Sequence, residues 1–252
     1  QIDIMKKVPW KRRGVQMTDT DMNNLSLYLE KNYGLTSDRV ITKAVDIVAN
    51  NNSFHPIIDF LEGLTWDGTP RISHMLTHFF GAGDQKYAGE IMKMHMMAAI
   101  SRLYEPGKKY DIMLCLVGGQ GTGKSTFFKY LAIKDEWFTD DMKRLDDKKV
   151  YEYLQGHWIV EMSEMNAVAN AKSIEETKSF LSRQKDTYRI PYERRAEDRY
   201  RQCVFCGTSN DLAFLPFDKT GNRRFGPVKV CPEKAEVTVY KNEKESREYI
   251  IQ

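Results

Sequence analysis

The sequence predicts an α/β protein, a parallel sheet covered by helices and preceded by a helical amino-terminal region. Three observations carry that expectation. Apolar residues recur at helical spacing through the first hundred positions. After "EPGKKY" (105–110) short apolar runs alternate with helical stretches, as a parallel sheet with helical crossovers requires. Between one such run and the next helical stretch lies a glycine-rich segment, "GGQGTGKST" (118–126). The change of texture puts a boundary near 107, giving a helical region 1–107 and a sheet domain 108–252.

In the first region, residues 38–49 set Val40 or Ile41, Ala44, Val45 and Val48 on one helical face, with Ser37 placed as the N-cap. Helical patterns follow at 56–62, 71–80 and 85–104, parted by the turn-rich "WDGTP" (66–70) and "GAGD" (81–84). In the second region, apolar runs at 112–117, 158–160, 203–207 and 227–230 predict strands.

Hydrophobic residues at 41% and charged residues at 29% fit a globular chain and exclude a disordered one. A net charge of +3 leaves any nucleic-acid affinity to local clustering. No apolar run approaches the roughly 18 residues needed to span a bilayer, so no membrane partner is expected. The amino end lacks the apolar core of a signal peptide, and four cysteines are too few for a disulfide scaffold. A reduced, cytoplasmic protein is the expectation. The chain starts at Gln1, which suggests a piece of a longer polypeptide.

Gly118, Gly123, Lys124 and Ser125 satisfy G-x-x-x-x-G-K-[ST] between a buried-strand pattern and the amphipathic "TFFKYLA". Gly119 and Gly121, flanking Gln120 and preceding Thr122, let the backbone turn its N–H groups onto phosphate oxygens. The helix opening at Lys124, Ser125 and Thr126 favours an anion at its start. Lys124 is placed to neutralise the β- and γ-phosphates, and the Ser125 hydroxyl to bind Mg²⁺. The expected fold is therefore a P-loop NTPase and the expected ligands are ATP and Mg²⁺. No Asn-Lys-x-Asp guanine-reading motif is present.

A P-loop needs a second strand that delivers a carboxylate toward the metal. In "HWIVEMSEM" (157–165) the apolar run ends in Glu161, suited to the metal, with Glu164 placed to orient and deprotonate water. Met162 follows Glu161 where a second acid is usual, so the division of roles between the two stays open. "CVFCGTSN" (203–210) closes on Asn210, which suits holding the lytic water or sensing the γ-phosphate. Arg223 and Arg224 follow a Gly-Asn turn. A guanidinium there can stabilise charge on the transferred phosphoryl group, as arginine fingers do. The order of these parts is that of an oligomeric ring ATPase, in which the arginine reaches the neighbouring subunit's nucleotide.

"FLEGLTWDGTPRI", "GGQGTGKSTFFKYLA", "HWIVEMSEM", "DTYRIPYERR" and "FCGTSNDLAFLPFDKTGNRRF" together resemble the virulence-associated E family of phages and mobile islands. That family is related to the superfamily 3 helicases of the AAA+ class. The resemblance implies an AAA+-like ATPase domain, a homo-oligomeric ring of six subunits, and single- or double-stranded DNA as partner. It also implies company with a primase domain or protein, although no primase motif is visible in this chain. In superfamily 3 helicases the insertion between carboxylate strand and Asn-tipped strand forms a hairpin lining the pore. Here that insertion, 183–201, carries Arg183, Lys185, Arg189, Arg194 and Arg195 as candidate DNA contacts, with Tyr188, Tyr192 and Tyr200 interleaved. Arg199 and Arg201 add to its charge, while four acids soften it.

Other features read as structure. Cys203 and Cys206 form C-x-x-C inside a strand pattern without further ligands nearby. His74 and His78 share helical spacing but lack an adjacent Glu, which leaves packing or exposure. "IMKMHMM" (91–97) reads as a Met-rich buried face. Two rival functions remain: a nucleotide-switched protein binding DNA or a host factor, and a P-loop small-molecule kinase, disfavoured because 117 residues precede the loop.

Overall fold

The computed structural model describes residues 11–12, 15–142, 150–163, 171–189, 196–211 and 223–252. It separates into two compact units, Gln1–Leu64 and Thr65–Gln252. This division falls upstream of the change of texture near 107. The physical reason is the helix over 85–104, which is tied to the sheet domain. Its buried Arg102 donates to the carbonyls of Lys108, Tyr110 and Cys203 at 3.0, 2.6 and 2.8 Å. Trp158 Nε1 in turn donates to Ala99 O at 3.0 Å.

In the first unit, β1 (Lys11–Arg12) pairs antiparallel with β2 (Val15–Gln16). Helices α1 (Asp19–Tyr33), α2 (Asp38–Asn51) and α3 (Pro56–Glu62) follow. A reciprocal Thr18–Asp21 capping box opens α1, satisfying backbone donors that the helix leaves unpaired. Ser37 precedes α2 as expected, although its hydroxyl makes no capping bond. The inward stripe of α2 runs through Ile41, Val45 and Ala49 at four-residue spacing, whereas Ala44 and Val48 are exposed. The expected face is thus shifted by part of a turn.

The second unit contains α4 (Met75–Phe80), α5 (Gln85–Tyr104), β3 (Met113–Val117), α6 (Lys124–Leu131) and β4 (Phe138–Thr139). It continues with α7 (Val150–Tyr153), β5 (Ile159–Met162), α8 (Ala171–Leu181), β6 (Lys185–Tyr188) and β7 (Glu197–Tyr200). It closes with β8 (Val204–Ser209), β9 (Phe225–Lys229) and α9 (Glu243–Ile251). The helix expected over 71–80 starts only at Met75, after a turn.

Five strands form one parallel sheet in the order β4-β5-β8-β3-β9. Every residue of β3, β5 and β8 is buried, which explains why they read as unbroken apolar runs rather than alternations. Met113, Cys115 and Val117 share one core cluster with Val160, Met162 and Phe205 of the sheet and Phe180 and Leu181 of α8. Since successive side chains alternate across a sheet, Glu161, between Val160 and Met162, points to the opposite face. Cys115, Cys203 and Cys206 are buried, and none of the four cysteines is in a disulfide. Among the described residues, no helix is long and apolar enough to cross a membrane.

Candidate functional site

The parallel order brings the carboxyl ends of β3, β5 and β8 side by side, with β8 in the middle. Gly118 leaves β3, and the loop runs through the exposed Gly119, Gln120 and Gly121 to α6. Gly123, just before the helix, has φ +85°, and a Cβ there would stand 2.4 Å from Val239 Cγ1. Only glycine meets both demands. Phe127, Phe128 and Leu131 bury one side of α6 and so anchor its first turn, where backbone N–H groups lack helical partners.

Lys124 is the first residue of α6 and is buried. Its ammonium donates to the carbonyls of Gly118 and Gly119, each at 2.7 Å, and to Asn210 Oδ1 at 3.2 Å. Burial lowers its pKa, opposed by the negative charge of Glu161. Asn210, at the tip of β8, is thereby brought against the loop lysine. Thr122 Oγ1 donates to Gly119 O at 3.1 Å and braces the turn.

Glu161 is fully buried. Its Oε1 accepts from Ser125 Oγ at 2.7 Å and from Thr208 Oγ1 at 2.6 Å. Its Oε2 has no hydrogen-bond partner among the described residues. Burial raises its pKa, against the two hydroxyl bonds that lower it; nearby Asp140 raises it further. A buried carboxylate oxygen without a donor is costly unless a cation completes it. The donor set, one carboxylate and a hydroxyl with oxygen atoms only, is the hard-ligand chemistry Mg²⁺ takes. The residues present therefore fit a Mg²⁺ ion.

Sequence reasoning missed Thr208 and Asp140. The β5–β8 register pairs Glu161 with Cys206, so Thr208, two residues on, faces the same side. The signal was a hydroxyl one pleat before the strand tip, meaningful only once that register is known. Asp140 follows the two-residue strand β4, too short to show a period.

Arg223 and Arg224 lie elsewhere. Phe225 pairs with Met113 at the start of β3, so both arginines sit at the opposite end of the sheet from Gly118. A five-residue strand separates the two ends by roughly 16 Å. Arg224 Nε donates to Ser182 Oγ at 2.9 Å and lies 3.4 Å from Asp111; Arg223 is exposed. Neither reaches the loop of its own chain. Glu164 lies outside the described residues.

Within the insertion, β6 pairs antiparallel with β7. Its basic residues divide. Arg201 is buried, donating to both Asp186 oxygens at 2.6 and 2.8 Å and to Phe180 O at 2.6 Å. Arg199 is buried over the Tyr188 ring. Lys185 pairs with Asp198, and Arg183 donates to Tyr151 Oη at 2.9 Å. Arg189 is exposed, while Arg194 and Arg195 lie outside the described residues.

Fold and site together define a parallel α/β protein with a glycine loop, a lysine-led helix and a buried carboxylate converging at the carboxyl ends of its strands. The chain belongs to the virulence-associated protein E-like domain family, which matches residues 61–250. Two apo structures of the NrS-1 C-terminal region are similar to it at 20% and 19% identity. Each covers 76% of this chain with a TM-score of 0.48. The chain spans less than half the length of those structures, 44% and 45%. Among curated proteins, no relative matches.

Proposed function

We propose that this chain is a P-loop ATPase of AAA+ type that acts on DNA as a ring, a helicase or translocase of phage or mobile-element replication. The observation that carries the ATPase reading is the Ser125–Glu161–Thr208 contact beside Lys124 and Asn210. It brings together a lysine, a buried carboxylate, two hydroxyls and an amide at the ends of three separate strands, which supports a phosphate cradle with metal ligands and a polar sensor.

In this reading the loop N–H groups and Lys124 hold the phosphates, with Lys124 exchanging its carbonyl partners for phosphate oxygens. Ser125 and Glu161 would hold Mg²⁺, which when bound offsets the negative charge on the phosphates. Thr208 fixes the Glu161 carboxylate through Oε1, which leaves Oε2 for the ion. Asn210 orients the attacking water, and Glu164 takes its proton. The placement of Arg223 and Arg224 supports action on a neighbouring subunit's nucleotide, because the sheet itself separates them from their own loop. Ring size, a DNA path along the hairpin, and a primase partner rest on the family resemblance.

The test is ATP turnover against protein concentration, with and without single-stranded DNA. Lys124→Ala serves as the blank and Arg224→Ala as the assembly-dependent variant. Turnover should rise with assembly and with DNA and be lost in both variants. Turnover independent of concentration and of DNA would overturn the ring reading in favour of a monomeric nucleotide switch.

A further inference from the structure

His74 ends the turn before α4, and its backbone at φ −107°, ψ −13° is already helical. His78 therefore lies one turn on, along the same face. The chain returns to that face much later. Cys231 N donates to Phe80 O at 2.8 Å, and both Glu236 N and Val237 N donate to His78 O at 3.0 and 3.2 Å. These bonds hold Glu236 over both rings. Its Oε1 lies 2.8 Å from His74 Nε2 and its Oε2 2.7 Å from His78 Nδ1. The sequence could not pair these residues, because Glu236 is 162 and 158 positions away.

We propose that His74, His78 and Glu236 form a binding site for a zinc-type divalent ion. One ligand atom from each residue lies within 4.8 Å of the others. A tetrahedral zinc with bonds of about 2.0–2.2 Å holds its ligand atoms about 3.4 Å apart, so the widest pair closes by at most about 1.4 Å. Two imidazoles and one carboxylate are a known zinc set, leaving a fourth position for water on this partly exposed surface.

The surroundings orient the ligands. Gln85 Nε2 lies 3.3 Å from His74 Nδ1; with its amide turned, the Gln85 oxygen accepts the His74 Nδ1–H while His74 Nε2 binds the metal. The His78 ring stacks on Tyr249 at 4.3 Å and 5° between planes, which fixes its direction. Imidazole selects against Mg²⁺, so this site does not compete for the ion proposed at Glu161. Bound metal ties the segment that continues to Val239, the residue against Gly123, onto α4. The inference does not rest on the ATPase reading.

The experiment is calorimetric titration of the untagged, chelator-stripped chain with Zn²⁺ alone, with Mg²⁺ as control. A visible spectrum with Co²⁺ and a thermal melt accompany it. We expect one equivalent of Zn²⁺ bound, none of Mg²⁺, cobalt bands of low coordination and a raised melting midpoint. Glu236→Gln keeps the hydrogen-bonding shape while removing the anionic ligand, and His74→Ala/His78→Ala removes both rings. Each should weaken Zn²⁺ binding by more than the roughly 100-fold seen at most for loss of outer-shell partners. The site is overturned by an absence of one-equivalent uptake. It is equally overturned by uptake unchanged in Glu236→Gln, which would move the metal to other groups such as Cys231.

Discussion

Replacing Gly123 by alanine tests whether the carboxyl-terminal segment packs against the glycine-rich loop. At φ +85° an alanine pays the left-handed penalty, about 1–2 kcal/mol. Its Cβ would also stand 2.4 Å from Val239 Cγ1 and 3.0 Å from Tyr240 Cδ1, an overpacking that costs about 1–3 kcal/mol. The two together come to about 2–5 kcal/mol. Gly121 is the internal control, with φ +75° and nothing within 4 Å of a built Cβ, so Gly121→Ala carries the conformational penalty alone. Lost freedom of the unfolded glycine offsets both variants alike. For a domain of this size each kcal/mol moves the melting midpoint by about 2–4 °C. Gly121→Ala should then melt about 2–8 °C below the natural protein and Gly123→Ala about 4–20 °C below. Thermal denaturation followed by circular dichroism reads both. A Gly123→Ala midpoint no lower than that of Gly121→Ala would refute the packing of Val239 and Tyr240 on the loop.

Two further outcomes follow from the site and the hairpin. Glu161→Gln keeps an acceptor for Ser125 and Thr208 but removes the charge, so ATP turnover should fall at least tenfold to a hundredfold, roughly the range for disturbed metal coordination. Burial raises the folded carboxyl's pKa above 4.5, so the folded state holds that proton more tightly, and the natural chain loses stability as pH climbs from 4.5 through the raised value. The glutamine does not titrate. The variant's melting midpoint should therefore rise relative to that of the natural chain as pH climbs above 4.5, and a relative fall would contradict the assignment. For DNA, Arg189→Ala should weaken single-strand binding across sequences and flatten its salt slope by about 1, whereas Lys185→Ala, already paired with Asp198, should leave the slope unchanged. Anisotropy titrations at several salt concentrations decide this; equal slopes for the two variants would count against a path over the hairpin connection.

Much of the site was visible in the chain because its parts are local. The glycine-rich loop is a continuous stretch whose glycines, lysine and hydroxyls act through neighbouring backbone, so spacing alone exposes it. Glu161 and Asn210 stood out as polar residues ending apolar runs. Thr208 did not, because its meaning depends on which residue of β5 lies across from β8. Spacing is also silent on what α5 packs against. The helical pattern of α5 gives no hint that Arg102 will be caged by three carbonyls of the sheet domain.

The basic insertion shows the same limit. Composition supplied seven cations, yet burial and pairing removed Arg199 and Arg201 from contact with solvent and tied Lys185 to Asp198. By itself, then, the sequence determined the α/β class, the glycine-rich loop opening a lysine-led helix, and the polar residues that end its apolar runs, since each is written in contiguous residues. The tertiary structure alone decided which side chains meet: Ser125 and Thr208 on one oxygen of Glu161, the two histidines on Glu236, the arginines at the far end of the sheet. Those are pairings across strand register and chain return, and contact between residues distant in sequence exists only after the backbone has folded.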